Sequence, residues 1–120
     1  HRKRVVITGI GVVSPNGMGV EQFATSCAAG RSGISRLQKI DTAKLKSWAA
    51  GQCLDFDPTT ALEHAELRRV PRMVPMALRA SREAMEMARL QIQNDDIETQ
   101  RQIGIALGTG GGGLAFVEEQ

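Results

Sequence analysis

Two unbroken apolar runs, each closing on a glycine-rich turn, constrain this chain more than any other feature. The first is Val5-Val6-Ile7-Thr8-Gly9-Ile10-Gly11-Val12-Val13. The second is Ile103-Gly104-Ile105-Ala106-Leu107-Gly108, which runs into Thr109-Gly110-Gly111-Gly112-Gly113. Both are short, apolar on both faces and rich in Val and Ile. That is the pattern of a strand covered on each side, which demands helices above and below a sheet. The basic lead His1-Arg2-Lys3-Arg4 has the charge of a secretory signal. The β-branching, the internal glycines and the want of a nearby small-residue cleavage site make a strand the better reading.

Helical periods separate the two runs. After the turn cluster Ser14-Pro15-Asn16-Gly17, the residues Val20, Phe23, Ala24, Cys27 and Ala28 recur three and four apart as one apolar stripe, and Gly30 follows as the stop. Cys27 on that stripe reads as a small buried hydrophobe. Residues 31–53 show no clean period; Trp48 is expected at an edge and Cys53 in a short extended piece. Asp57-Pro58 joins a good N-cap to a first-turn proline and predicts a helix reaching Arg69 or Val70, where Pro71 ends it. A longer helix spans roughly 72–90. Met73, Met76, Ala77, Ala80, Ala84, Met87 and Ala88 form its apolar face, whose small alanines let a neighbour approach closely. Arg79, Arg82, Glu83, Glu86 and Arg89 form a face expected to be solvated, with Arg79–Glu83 and Arg82–Glu86 at i,i+4. Asn94–Asp96 reads as a loop, and a last helix is expected to begin at Leu114. The order of elements implies an α/β architecture.

Composition narrows the chemistry. With 120 residues, 42% of them hydrophobic, and a net charge of +2, the chain is not of the disordered class. Two cysteines do not make a disulfide scaffold. No apolar stretch is long enough to span a membrane. An aromatic content of 3% with no Tyr leaves no stacking platform for nucleic acid. Cys27, Cys53, His1 and His64 have no metal-ligand spacing, so no metal is expected, and no His is placed by sequence to activate a Cys or Ser. His64 reads as a surface residue. Gly9-x-Gly11 lacks the third glycine and the distant acidic residue of a dinucleotide site, and Gly108 to Gly113 lacks the Lys and hydroxyl of a phosphate loop. A nucleotide-binding oxidoreductase domain therefore stands only as a distant alternative. Because ligands gather at the carboxyl ends of strands, Thr109 to Gly113 is the best site on physical grounds alone.

Four segments together resemble a known family. They are Arg4 to Pro15, Ala29-Gly30-Arg31-Ser32-Gly33-Ile34, Ala50-Gly51 with Asp55-Phe56-Asp57-Pro58, and Gly108 to Leu114. In this order they resemble β-ketoacyl-acyl-carrier-protein synthases of the elongating type. The resemblance covers essentially all 120 residues but only the first third or less of a family-length protein. Residues 1–120 are thus expected to be an N-terminal piece of the synthase N-terminal domain, cut at both ends. The resemblance implies a thiolase-like α/β fold, layered αβαβα, of which only part of the first half is present.

It further implies condensation of an enzyme-bound acyl group with malonyl-acyl-carrier protein, with release of carbon dioxide. A Cys at a helix N-terminus is the nucleophile and two His stabilise the developing charges; no cofactor is needed. All three residues are expected beyond Gln120, so the piece alone is expected to be inactive and poorly stable. Implied partners are acyl carrier protein and malonyl and acyl thioesters, with a homodimer at full length and a cytoplasmic setting. Arg68 and Arg69 match a basic pair that docks the acidic carrier. Thr109, Gly110, Gly111, Gly112 and Gly113 match a loop bordering the acyl pocket, where Gly111 replaces a bulky apolar gate. Pro71, Met73 and Ala24 depart from common family residues and suit a divergent, polyketide-type enzyme. A chain-length-factor-like partner without a nucleophile is the alternative.

Overall fold

The computed structural model describes residues 2–38 and 40–111. Its elements are β1 (Val13–Ser14), β2 (Gly17–Met18), α1 (Val20–Ala28), β3 (Ile34–Arg36), β4 (Ala49–Gly51), a 3-10 turn at Pro58–Thr60, α2 (His64–Leu67), α3 (Met73–Met87) and α4 (Ile97–Arg101). β1 pairs antiparallel with β2, Val13 opposite Met18. β3 pairs antiparallel with β4, Ile34 opposite Gly51.

The helix α3 is the spine. Its first turn accepts Pro75 because the first turn has backbone N–H groups without intrahelical partners, and Pro75 is fully buried. Its small-residue face receives the glycines of the first apolar run. A Cβ on Gly9 would strike the carbonyl of Ala84, and one on Gly11 would strike the carbonyl of Ala80. The glycines and alanines therefore serve one purpose, the direct approach of backbone to backbone. The expected close neighbour of the alanine face is this segment.

The acidic residue next to that face does not point to solvent as expected. Glu83 reaches across to the other layer, where Oε2 accepts from Val12 N at 2.9 Å and Oε1 from Val20 N at 2.8 Å. Val20 opens α1, whose first amides have no intrahelical acceptor, so Glu83 supplies a cap from 63 residues away. At its other end α1 closes as the sequence predicts. Gly30 takes φ 65°, its N–H bonds Cys27 O, and Arg31 N–H bonds Ser26 O.

Several expectations are corrected. Residues 2–12 and 103–108 lie in no ladder among the described residues, and Val5, Ile7 and Ile105 are 94%, 84% and 94% exposed. A strand meant to be covered on both faces finds neither sheet neighbours nor a second helical layer among the described residues. The helix from Asp57 is broken. Asp57 does cap, accepting from Thr59 N at 2.9 Å, but Thr59 Oγ1 also bonds Asp57 Oδ1 and Thr60 Oγ1 bonds Asp57 O at 2.7 Å. Such hydroxyl bonds to local backbone compete with helix extension, leaving a 3-10 turn and a restart at His64. Cys27 is exposed rather than buried; α1 instead buries Ser26. Strand β3 and the helix α4, capped by Asp96 on Thr99 N at 3.0 Å, lie where no such elements are expected, while β4 overlaps only the start, Ala50–Gly51, of the short extended piece expected around Cys53. The helix expected from Leu114 lies outside the described residues.

The apolar core is correspondingly small. Among the described residues, Phe56 and Ala61 are the buried hydrophobic side chains beside Pro75. The radius of gyration is 17.6 Å, against about 13–14 Å for a compact domain of this length.

Two outcomes are expected. Gly11→Ala destabilises by about 2–4 kcal/mol in denaturant unfolding, because the new Cβ meets backbone that cannot move aside. Glu83→Gln costs about 1–2 kcal/mol at neutral pH, since a carboxamide turns an N–H₂ toward one of the two amide donors. Burial acts to raise the Glu83 carboxyl, but the Val12 and Val20 amides and Arg79 outweigh it, and its pKa is lowered. The folded state therefore binds that proton less readily than the unfolded chain. Its stabilisation is full above the ordinary glutamate range and is lost as pH falls through the lowered value. Unfolding curves recorded from pH 6 downward show this acid slope in the wild type and a shallower one in Glu83→Gln.

Candidate functional site

The candidate residues gather at the start of α3. Arg68 caps the C-terminal end of α2 with φ −70°, Arg69 N–H bonds Glu66 O at 2.9 Å, and both side chains are exposed. Pro71 then turns the chain into α3. On the same first turn, Met73 Sδ accepts from Thr109 Oγ1 at 3.5 Å, a contact spanning 36 residues. The glycine-rich loop therefore lies against the helix that follows the arginine pair. Gly111 has φ 115°, backbone that favours glycine, whereas Gly104, Gly108 and Gly110 have open space where a Cβ would be. Gly112 and Gly113 lie outside the described residues.

Two further arginines, which the sequence reading did not assign to a site, fix the ground on which this arrangement stands. Arg72 Nη2 donates to Cys53 O at 2.8 Å, and its guanidinium lies 5.4 Å from the centroid of the buried Phe56 ring. Arg82 donates from Nη1 to Thr60 O at 3.1 Å and from Nη2 to Ala61 O at 2.8 Å. The sequence signal for these contacts is absent at i,i+4 spacing; Arg82 looks like a partner for Glu86, but its fork finds carbonyls more than 20 residues away.

Neither cysteine has the surroundings of a nucleophile. Burial pushes the Cys53 thiol up, and the opposing pull of Arg72 does not overcome it, so the thiolate is scarce. His64 is exposed at the start of α2. Among the described residues no three His, Cys, Asp or Glu side chains converge as a metal site, and no helix is long and apolar enough to cross a membrane. The Gly9-x-Gly11 backbone, the nearest match to a dinucleotide turn, is covered by α3, which takes the space a pyrophosphate would need.

Among the described residues, clefts open away from these positions. One of about 350 Å³ lies between Pro15–Asn16, Gly33 and Gln52–Asp55. One of about 480 Å³ lies along Arg82, Glu86, Arg89 and Leu90, and one of about 200 Å³ beside Cys53 and Arg72. None is lined by Arg68, Arg69 or Thr109 to Gly111.

The model of the β-ketoacyl synthase N-terminal domain matches residues 2–120. The chain belongs to the β-ketoacyl synthase family. It is 33% identical over 119 residues to 3-oxoacyl-[acyl-carrier-protein] synthase 2 of Coxiella burnetii, covering 99% of this chain and 28% of that protein. It is 40% identical over 117 residues to a Streptomyces halstedii protein named for polyketide β-ketoacyl synthase activity, covering 97% of this chain and 27% of that one. Among solved structures, the ishigamide ketosynthase/chain length factor superposes with a TM-score of 0.68 at 36% identity, over 76% of this chain and 23% of that one. The chain thus shares a ketosynthase fold and spans about 28% of the length of the curated relatives it matches. The resemblance seen in four sequence motifs is borne out.

Proposed function

We propose that this chain is the opening part of a 3-oxoacyl-[acyl-carrier-protein] synthase. The whole enzyme would condense an acyl group held on its cysteine with malonyl-acyl-carrier protein, in fatty acid or polyketide biosynthesis. Loss of carbon dioxide from the malonyl thioester leaves an enolate. Its carbon attacks the acyl thioester carbonyl, and the cysteine thiolate departs as the new carbon–carbon bond closes. The observation that carries this reading is the family match across residues 2–120. The scarce thiolate at Cys53 agrees with a nucleophile placed downstream.

In this reading the chain supplies part of the first half of a layered αβαβα thiolase-like fold. Residues 5–13 and 103–108 are strands that pair only in the complete fold, and the 120-residue piece by itself has no condensing activity. Arg68 and Arg69 dock the acidic carrier protein. Thr109 to Gly113 borders the acyl pocket, and Gly111 leaves it without a bulky gate. The whole enzyme works as a cytoplasmic homodimer without a metal or organic cofactor.

The superposition on a ketosynthase/chain length factor supports a second reading, a non-catalytic chain-length partner of the same fold. The residue at the downstream nucleophile position separates the two. A cysteine there, with acyl-enzyme formation seen by mass spectrometry, supports the synthase; another residue and no acyl-enzyme support the partner.

The docking role has its own test. With the two charges reversed in R68E/R69E, KM for carrier-bound malonyl substrate rises by about tenfold or more. KM for malonyl-pantetheine, which has no carrier protein, stays near wild type. The wild-type preference for the carrier-bound substrate also shrinks with added salt, because exposed charges are screened.

A further inference from the structure

We infer that Arg82 is a positioning residue for carrier-protein docking, acting through the Pro58–Thr60 turn that sets the place of α2. The inference rests on the docking role proposed for Arg68 and Arg69.

The argument starts from how α2 is held. It has four residues, too few to be stable by itself. It packs on the 3-10 turn, and that turn in turn packs on α3. At its C-terminal end α2 is joined to α3 through the short link across Val70 and Pro71. At its N-terminal end the connection to α3 is non-covalent, and Arg82 is central to it. Its two guanidinium nitrogens bond consecutive carbonyls, Thr60 O at 3.1 Å and Ala61 O at 2.8 Å. A planar fork on two carbonyls fixes direction as well as distance. Ala61, just past the turn, is buried. Arg72 secures the upstream end of the same segment at Cys53 O. The segment from Cys53 to Ala61 is thus pinned at both ends to α3, and α2 with Arg68 and Arg69 hangs between the second pin and Pro71.

Removal of the Arg82 pin leaves the N-terminal side of α2 held only by the packing of the turn on α3, without the fork that fixes its direction. Arg68 and Arg69 would still be present and still charged, but no longer held at one place over α3. Docking of a charged partner depends on that placement, whereas chemistry on a small thioester does not. Arg82 is exposed, so its own charge could instead meet the carrier directly. R82K separates these roles: it keeps the charge, but an ammonium is a single point donor and does not reproduce the fork.

The experiment uses the complete synthase and compares carrier-bound malonyl substrate with malonyl-pantetheine. R82A is expected to raise KM for the carrier-bound substrate by about five- to tenfold. Its kcat, and its KM for malonyl-pantetheine, stay near wild type. R82K shows a rise in the same direction and carries the test if R82A does not fold. In R68E/R82A the effect of R82A is largely absent, because a misplaced charge matters only while the charge is there. R82K behaving as wild type would make Arg82 a docking charge and overturn the inference. Equal losses with both substrates would reduce it to general stability and also overturn it. If R68E raises carrier KM and R82A does not, only this inference falls. If R68E leaves carrier KM unchanged, the docking reading falls and this inference with it.

Discussion

The structure depends on what α3 does with two adjacent residues. Glu83 turns toward the segment that opens the chain and accepts from the amides of Val12 and Val20. Arg82 turns toward the segment after Phe56 and donates to the carbonyls of Thr60 and Ala61. Neighbouring positions on a helix differ by about 100°, so one pair of side chains can hold two separate pieces of chain. Between them, the alanine face receives the backbone at Gly9 and Gly11. With few hydrophobic residues buried among the described residues, these polar ties and two glycine–alanine contacts join the separate segments to α3.

The strands show the reverse case. Runs 5–13 and 103–108 are the strongest strand signals in the sequence, yet residues 5–12 and 103–108 join no ladder among the described residues and Val5, Ile7 and Ile105 are exposed. A β-branched run states only a preference for a buried pleated surface; the surface must come from elsewhere. Helix α1 and the long helix α3 were legible because the hydrogen bonds of a helix close within it, and its apolar period is local. The helix from Asp57 was misread because the hydroxyls of Thr59 and Thr60 bind Asp57, a competition that periodicity does not register. The β3–β4 pair was missed because three-residue strands carry no usable alternation.

The candidate site divides in the same way. Arg68, Arg69 and the Thr109 loop are candidates by motif alone, and the contact between Thr109 and Met73 places the loop at the head of α3. The contacts of Arg72, Arg82 and Glu83 were not legible. Arg82 and Glu83 each have an oppositely charged neighbour at helical spacing, Glu86 and Arg79, and that spacing pointed to a solvated face, whereas no acidic residue stands at such spacing from Arg72. Their partners are backbone groups, which every residue carries and no sequence pattern marks.

That choice of partner has a mechanical consequence. A guanidinium that ties down carbonyls uses its hydrogen-bonding fork while keeping its charge, because the carbonyl is a dipole and neutralises nothing. The Arg82 pin therefore leaves the charge of its own guanidinium intact, where a carboxylate partner would cancel it. It is also less exposed to salt than an ion pair between two surface charges, whose attraction is screened over about 10 Å at moderate ionic strength. For the docking proposed above, a basic surface needs both properties together: arginines fixed in position, and fixing groups that leave the arginine charge uncancelled. Arg72 on Cys53 O and Arg82 on Thr60 O and Ala61 O meet that condition on either side of the segment leading into α2.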